Sequence, residues 1–191
     1  RLGDMELRGI CLNDLYDRVS YLSQDAPVFD GTIKENLVFE KKVLEEQMLD
    51  ALSEVQLSHL VENLAEGLNT EIGEKGTCLS GGEKQGITLA RAILKNAPII
   101  ILDEATAFAD TENEAKIEAA ISEFVHNKTL IVIAHRLSSI INADQICVLK
   151  AGEIIGCGVH EELLENNECY RTLWEAHQKS QGWQLGKGGI L

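Results

Sequence analysis

The chain has 191 residues, with 17 Lys and Arg against 31 Asp and Glu, which gives a formal net charge of −14. This length can bury a core as one large domain or as a domain with a subdomain, and 45% apolar with 25% charged residues is typical of globular proteins. The acidic balance argues against a nucleic-acid-binding domain and against docking on anionic lipid, because clustered Lys and Arg bind both of those surfaces.

The sequence indicates neither a membrane span nor a zinc site. No apolar run approaches the roughly 20 residues that cross a bilayer, and no basic-then-apolar signal peptide opens the chain. The cysteines are odd in number, widely spaced and without a CxxC pair, which argues against a zinc site or a disulfide framework; they are Cys11, Cys78, Cys147, Cys157 and Cys169. We interpret them as reduced thiols of a soluble, acidic, cytosolic domain.

The first half of the chain is predicted to contain short strands and then helices. Apolar patterning predicts strands over 5–8 and 19–22. Over 39–68 the apolar residues recur at three and four positions, which predicts an amphipathic helical region with a solvated acidic face. A further helix is predicted over 83–94, before Asn96 and Pro98.

The second half alternates strands and helices, which is typical of a parallel α/β sheet. The apolar run over 99–102 predicts a strand buried on both faces, and a second buried strand is predicted over 129–134, after a helix over 112–125. Two short strands over 146–149 and 153–155, joined through Ala151 and Gly152, precede helices over 159–165 and 170–177. The glycine-rich end from Ser180 is interpreted as a flexible tail.

The first candidate site is the segment Leu79-Ser80-Gly81-Gly82-Glu83, at the start of a predicted helix. Two glycines allow a ligand to approach the backbone closely, and a helix N-terminus attracts anions through its free N–H groups and its dipole. The same residues also have a purely structural interpretation, because Ser80 followed by Glu83 matches a capping box. Taken alone, the segment leaves both interpretations open.

Further candidates follow three predicted strands. Asp103 and Glu104 come just past the strand over 99–102, at the edge where open α/β sheets bind ligands. In a nucleotide site the first carboxylate can hold Mg²⁺, usually through water, and the second can act as the general base. His135 follows the strand over 129–134, although a structural role is commoner for an isolated histidine. Gln24 follows the strand over 19–22 and offers a carbonyl and an amide.

In order and spacing, these segments together resemble the nucleotide-binding domain of ABC transporters, from the first residues to about His177. The resembling segments are 23–36 (the Q-loop region), 72–76 (the X-loop of exporter-type members), 79–85 (the signature motif), 99–104 (Walker B), 107–110 (the D-loop) and 133–136 (the switch-histidine segment). Each match is weak or moderate alone, but they stay in register over some 110 residues.

The resemblance implies that two such domains face each other head to tail, with ATP between the phosphate loop of one and the signature of the other. The signature residues would then bind the γ-phosphate of a nucleotide held mainly by the opposite domain; these are Ser80, Gly81, Gly82 and Glu83. The remaining candidates would serve the nucleotide on their own side. Gln24 and Asp103 would attend Mg²⁺, Glu104 the attacking water and His135 the γ-phosphate, while Asp110 would couple the two sites.

The sequence also departs from the family pattern. No window fits the phosphate loop G-x-x-x-x-G-K-S/T, and the nearest, over 76–81, continues with Gly82 and Glu83 where Lys and Ser or Thr are required. The chain, which opens on Arg1, is therefore expected to begin just past its own phosphate loop. Glu83 replaces the commoner glutamine of the signature, and Gly86 stands where a basic residue is frequent.

The resemblance implies an α/β fold, with a P-loop NTPase (RecA-like) core of mostly parallel strands and an α-helical signature subdomain. Residues 1–37 and 97–178 are expected to form the core, incomplete at its N-terminal part and without Walker A. Residues 38–96 are expected to form the helical subdomain, and 179–191 a flexible C-terminal tail.

The leading functional hypothesis is the ATP-hydrolysing domain of an exporter-type ABC transporter, at the cytoplasmic side of a membrane, with ATP and Mg²⁺ as cofactors. Its partners would be a second nucleotide-binding domain, identical or distinct, and a transmembrane domain, with no nucleic acid. The alternative is a non-catalytic interaction module that presents the signature face to a partner. Chromosome-maintenance and repair ATPases share similar signatures, but the sequence has no sustained heptads for their coiled coils.

Overall fold

The computed structural model describes residues 1–23, 25, 27–38, 42–103, 121–122, 124–134 and 137–182. The chain divides into two compact units, Arg1–Ile133 and Ala134–Leu191. Among the described residues, none of the helices combines the length and the apolar character that a membrane span requires.

The first unit contains a parallel sheet in the order β1 (Val19–Leu22), β2 (Ile99–Asp103) and β3 (Thr129–Ile133). In its register Leu22 pairs with Leu102, and Asp103 pairs with Ile133, so the three strands end at one edge. The predicted parallel strands are therefore confirmed at these positions. Most of the helix predicted over 112–125 lies outside the described residues.

The helices of the first unit pack around β1 and β2. They are α1 (Leu12–Arg18), α2 (Ile33–Val38), α3 (Glu45–Glu54), α4 (Ser58–Glu62) and α5 (Gly81–Lys95). Ile33 on α2, Leu52 on α3, and Ile87 and Ala90 on α5 are fully buried, together with Ile100 of β2. Apolar residues spaced three or four positions apart thus form one core, as the helical pattern predicts.

The helical region predicted over 39–68 is interrupted. Helix α3 ends where Gln56 adopts a positive φ of 62°, and the amide of Leu57 donates to the Leu52 carbonyl at 2.7 Å. Helix α4 then follows, and residues 67–69 form a 3₁₀ turn. A left-handed residue ends an α-helix, because the following amides no longer point along its axis. Residues 39–41 lie outside the described part of the chain.

The strand predicted over 5–8 is wrong. Leu2 and Met5 instead exchange backbone hydrogen bonds of 2.9 and 3.2 Å around a turn in which Gly3 has a φ of +56°. A 3₁₀ helix, Leu7–Gly9, follows directly. The glycine permits this tight turn. The alternating apolar residues over 5–8 therefore lie in a turn and a 3₁₀ helix instead of a strand.

The predicted burial of the strand over 129–134 is also wrong. The strand exists as β3, but its side chains are exposed, with Ile131 at 47% and Ile133 at 46%. Within the described sheet β3 pairs with β2 alone, and an edge strand has fewer neighbours to cover its side chains. On β2, Ile100 and Leu102 are buried, whereas Ile99 and Ile101 are half-buried, so the predicted burial on both faces is confirmed for one face only.

The second unit contains an antiparallel hairpin and two helices. Its elements are β4 (Ile146–Lys150), β5 (Glu153–Gly158), α6 (His160–Asn166) and α7 (Glu168–Gly182). Its core consists of Ile146, Val148, Leu163 and Tyr170, and the buried ring of His160 hydrogen-bonds the Tyr170 hydroxyl at 2.7 Å. The predicted strands and helices are confirmed here, and α7 continues past residue 179, where the tail is predicted to begin.

Candidate functional site

The signature segment forms the N-terminus of α5, a helix of 15 residues. Ser80 is the N-cap: its hydroxyl accepts from the Glu83 amide at 3.3 Å, and the Glu83 carboxylate accepts from the Ser80 amide at 2.7 Å. This reciprocal pair is the capping box that the sequence predicts. It fixes where the helix begins.

Packing among the described residues does not require the two glycines that follow. A β-carbon added to Gly81 or Gly82 would meet no atom of those residues within 4 Å. Among the described residues, neither amide donates a hydrogen bond, whereas the next two amides, of Glu83 and Lys84, donate to Ser80. Two N–H groups without a partner among the described residues, at a helix N-terminus that no side chain of residues 81 and 82 covers, can bind an anionic oxygen.

Glu83 introduces a negative charge beside this surface. Partial burial raises the pKa of Glu83, but the hydrogen bonds with Ser80 and the nearby His59 imidazole outweigh it, so the pKa is lowered below the ordinary value. The carboxylate therefore stays ionised and directed at the cap, and its Oε1 lies 3.8 Å from His59 Nε2. An anion at Gly81 and Gly82 would approach the amides rather than the Glu83 carboxylate, which is hydrogen-bonded to Ser80.

Asp103 is the last residue of β2. The hydroxyl of Tyr21, on β1, donates to Asp103 Oδ2 at 2.7 Å. This hydrogen bond, together with the negative charge of Asp103, raises the pKa of Tyr21. The tyrosine therefore orients the carboxylate at the strand end while remaining a neutral donor.

Four predicted site residues lie outside the described residues: Gln24, Glu104, Asp110 and His135. In the sequence, Gln24, Glu104 and His135 come one or two positions after the ends of β1, β2 and β3. The register places those strand ends at the same edge of the sheet. The described site thus comprises the helix terminus at 80–83 and the strand end at Asp103.

The unusual glycine of the signature helix has a packing reason. A β-carbon at Gly86 would approach the Leu57 side chain to 2.6 Å at one methyl and 3.0 Å at its branch carbon. Both residues are buried, so Leu57, just after the break in the helical region, occupies the space that a larger residue would need. This contact explains why no basic residue stands here.

Arg91 was not singled out by the sequence, yet it fastens α5 to the segment after β1. Its Nε donates to the Asn36 carbonyl at 2.8 Å, its Nη1 donates to the Pro27 carbonyl at 3.1 Å, and its guanidinium lies 5.7 Å from the Phe29 ring centroid. Burial lowers the pKa of Arg91 to about 10, which leaves it charged at neutral pH. The sequence offers one indication of this role. Arg91 follows the buried Ile87 by four residues, which places both on the same face of the helix.

Tyr21 was missed as well, although its signal was accessible. Alternate residues of a strand lie on the same face of the sheet. Tyr21 pairs with Ile101 of the parallel strand β2, so it lies on the same face as Ile101 and Asp103. The contact joins two neighbouring strands, so it depends on strand pairing and does not follow from the strand of Asp103 alone.

Comparison with known proteins agrees with this geometry. The family model described as "ABC transporter" matches residues 2–107. The chain therefore belongs to the ABC transporter family, and the predicted α/β class is confirmed.

The similarity to individual relatives extends over most of this chain. An ATP-dependent lipid A-core flippase of Francisella tularensis subsp. tularensis is 41% identical over 177 residues, 92% of this chain and 29% of the relative. A mycobactin import ATP-binding/permease protein of Mycolicibacterium smegmatis is 42% identical over 180 residues, 94% of this chain and 21% of the relative. The chain thus spans less than a third of the length of these relatives.

A solved structure gives the same fold. A bacterial Atm1-family ABC exporter with ATP bound superposes with a TM-score of 0.81 and 31% sequence identity, over 96% of this chain and 31% of that one. The helix terminus and the strand ends described above therefore belong to a known nucleotide-binding fold.

Proposed function

We propose that the chain forms part of the ATP-hydrolysing domain of an exporter-type ABC transporter. The observation that carries this proposal is the start of α5, where the amides of Gly81 and Gly82 donate no hydrogen bond among the described residues and no atom lies within 4 Å of the position of a β-carbon. Their open surroundings fit an oxygen of ATP that arrives from outside the chain. That ATP would be held mainly by the phosphate loop of a second nucleotide-binding domain, head to tail with this one.

The sheet edge would serve the nucleotide on the same side. Asp103 suits Mg²⁺, because it offers carboxylate oxygens to a hard cation and Tyr21 donates to only one of them. Asp103 and Gln24, through water, would hold this ion, which neutralises phosphate charge when bound. Glu104 would accept a proton from the attacking water, and His135 would contact the γ-phosphate.

Asp110 would connect the two composite sites, and the domain would work at the cytoplasmic side of a membrane with transmembrane domains as partners. Relatives at 41% and 42% identity carry names for lipid A-core flipping and for mycobactin import. Similarity over this domain therefore does not select a substrate.

The test uses a chimera in which the phosphate-loop segment of the Francisella flippase precedes Arg1. We expect the chimera to hydrolyse ATP and the 191-residue chain alone to show no turnover above background. Glu104→Gln should slow the chimera about 10²–10⁴-fold, because the general base is lost. The matched control is Glu153→Gln, at an exposed position of the second unit, which should leave the rate unchanged.

An inactive chimera that folds and binds ATP would contradict the catalytic assignment. So would a Glu104→Gln chimera as fast as its parent.

The second candidate function is a non-catalytic interaction module, and the uncovered Gly81 and Gly82 at the start of α5 favour it, because such a surface can bind a partner without catalysing a reaction. In this case the chain would present 80–83 to an ATP-loaded partner domain and catalyse nothing. The chain should then bind such a domain only in the presence of ATP, and Gly82→Asp should abolish the binding. Binding that is independent of nucleotide would exclude this mode.

A further inference from the structure

Two cysteines face each other on the hairpin of the second unit. Cys147 on β4 and Cys157 on β5 are direct cross-strand partners, and their Sγ atoms lie 3.1 Å apart. Both side chains are exposed. The hydrogen bond between the thiols raises the pKa of Cys157, as expected when two sulfurs lie this close.

A β-bulge creates this pairing. Next to the turn, Lys150 pairs with Glu153 and Leu149 with Ile154, a register that would continue to Cys147 opposite Gly156. The register instead shifts between Val148 and Leu149, which leaves Ile155 as the extra residue of β5. The shift of one residue moves Cys157 to the place opposite Cys147.

The bulge is held in place by the link between α6 and α7. The side-chain amide of Asn167 donates to the Ile155 carbonyl at 3.1 Å, and its Oδ1 accepts from the Tyr170 amide at 2.9 Å. Gly156 has no side chain, and a β-carbon there would collide with Asn167. The cysteine pair is therefore positioned by the fold of the second unit rather than by free motion of the hairpin.

We propose that Cys147 and Cys157 form a reversible intramolecular disulfide, with a small-molecule disulfide such as oxidised glutathione as the oxidant. Cα atoms of direct cross-strand partners fall within the range that a disulfide spans, and the sulfurs must approach by about 1 Å to bond. An exposed disulfide of this kind is the labile type, so the pair stays reduced in a reducing pool and closes when oxidised glutathione accumulates.

The exchange has two balanced steps. The thiolate of one cysteine attacks a sulfur of oxidised glutathione, its S–S bond breaks, and one glutathione leaves and takes up a proton. The second cysteine thiolate then attacks the protein sulfur of the mixed disulfide and releases the second glutathione. Two electrons and two protons thus pass from the protein thiols to two glutathione molecules.

The test places the reduced chain in glutathione buffers of rising oxidised fraction, quenches with acid, alkylates and digests it for mass spectrometry. We expect two thiols to be lost together, and a peptide containing Cys147 to be linked to one containing Cys157. Cys147→Ser and Cys157→Ser should each abolish the linkage, whereas Cys11→Ser, at another exposed cysteine, should retain it. Circular dichroism of the reduced variants verifies that each is folded.

A second variant examines the bulge. Asn167→Ala removes the hydrogen bond to Ile155 and should lower the equilibrium constant for disulfide formation about fivefold to tenfold. One glutathione added to each cysteine, a disulfide between two chains, or two unreacted thiols in the oxidised buffers would overturn the proposal. An equilibrium constant unchanged by Asn167→Ala would overturn the role given to the bulge.

Discussion

At the scale of single residues, the glycines of α5 differ in what surrounds their α-carbons. Gly81 and Gly82 face open space, whereas Gly86 lies against Leu57. The three residues look alike in the sequence, and all three belong to one helix. Open space leaves room for a ligand at the first two, while close packing accounts for the third.

Two substitutions separate these roles. Gly82→Ala should keep the free energy of unfolding or raise it by about 0.5–1 kcal/mol, since alanine is the better helix former. Gly86→Ala should lower it by about 1–3 kcal/mol, because the added methyl overpacks a buried contact. Urea denaturation followed by circular dichroism measures both. Equal changes for the two variants would contradict the difference in surroundings.

At the scale of elements, the turn of the second unit carries a strained residue. Ala151 and Gly152 both have positive φ, at 52° and 85°, as a type I′ hairpin turn requires. Glycine adopts this region without cost, whereas alanine places its β-carbon too close to the carbonyl oxygen. The left-handed conformation of Ala151 therefore makes the hairpin less stable than it would be with a residue that tolerates this conformation.

Replacing the strained residue should stabilise the hairpin. Ala151→Asn should raise the opening free energy of β4 and β5 by about 0.5–1 kcal/mol, because asparagine tolerates the left-handed region. Gly152→Ala, the matched control, should lower it by about 1–2 kcal/mol. Amide hydrogen exchange of the two strands reports the difference, and a change of the same sign in both variants would speak against this turn geometry.

Much of this architecture could be predicted from local sequence. The apolar run of β2 and the capping box at Ser80 and Glu83 are short-range patterns, and both are confirmed. The bulge could not be predicted, because it depends on Asn167 reaching back to Ile155 across the fold. Without it, Cys147 and Cys157 are out of register, so the cysteine spacing alone gave no indication of a pair.

At the scale of the whole molecule, charge and exposed apolar surface act in opposite directions. The net charge of −14 keeps copies apart at neutral pH. Strand β3, however, lies at an edge of the described sheet and exposes Leu130, Ile131, Val132 and Ile133. Burial of β3 was predicted from its composition, but composition does not specify how many neighbours a strand has.

The exposed strand should make the 191-residue chain associate with itself. We expect association to increase as the pH approaches the isoelectric point of about 4.7, where charge repulsion is lost. Ile131→Lys should reduce it, because a charge on an edge strand opposes pairing. Leu173→Lys, an exposed leucine on α7, serves as the control. Sedimentation velocity at several concentrations measures the effect, and equal protection by both lysines would rule out the edge as its cause.

Through the hydrogen bonds of Arg91, helix α5 connects its N-terminus with the segment that follows β1. Arg91 follows Gly81 by ten positions, so about 15 Å of helix lies between the free amides and the side chain that binds the carbonyls of Pro27 and Asn36. A helix transmits displacement along its axis with little bending. We therefore expect a displacement of the segment that follows β1 to shift the N-terminal end of α5 as well, because Arg91 joins the two.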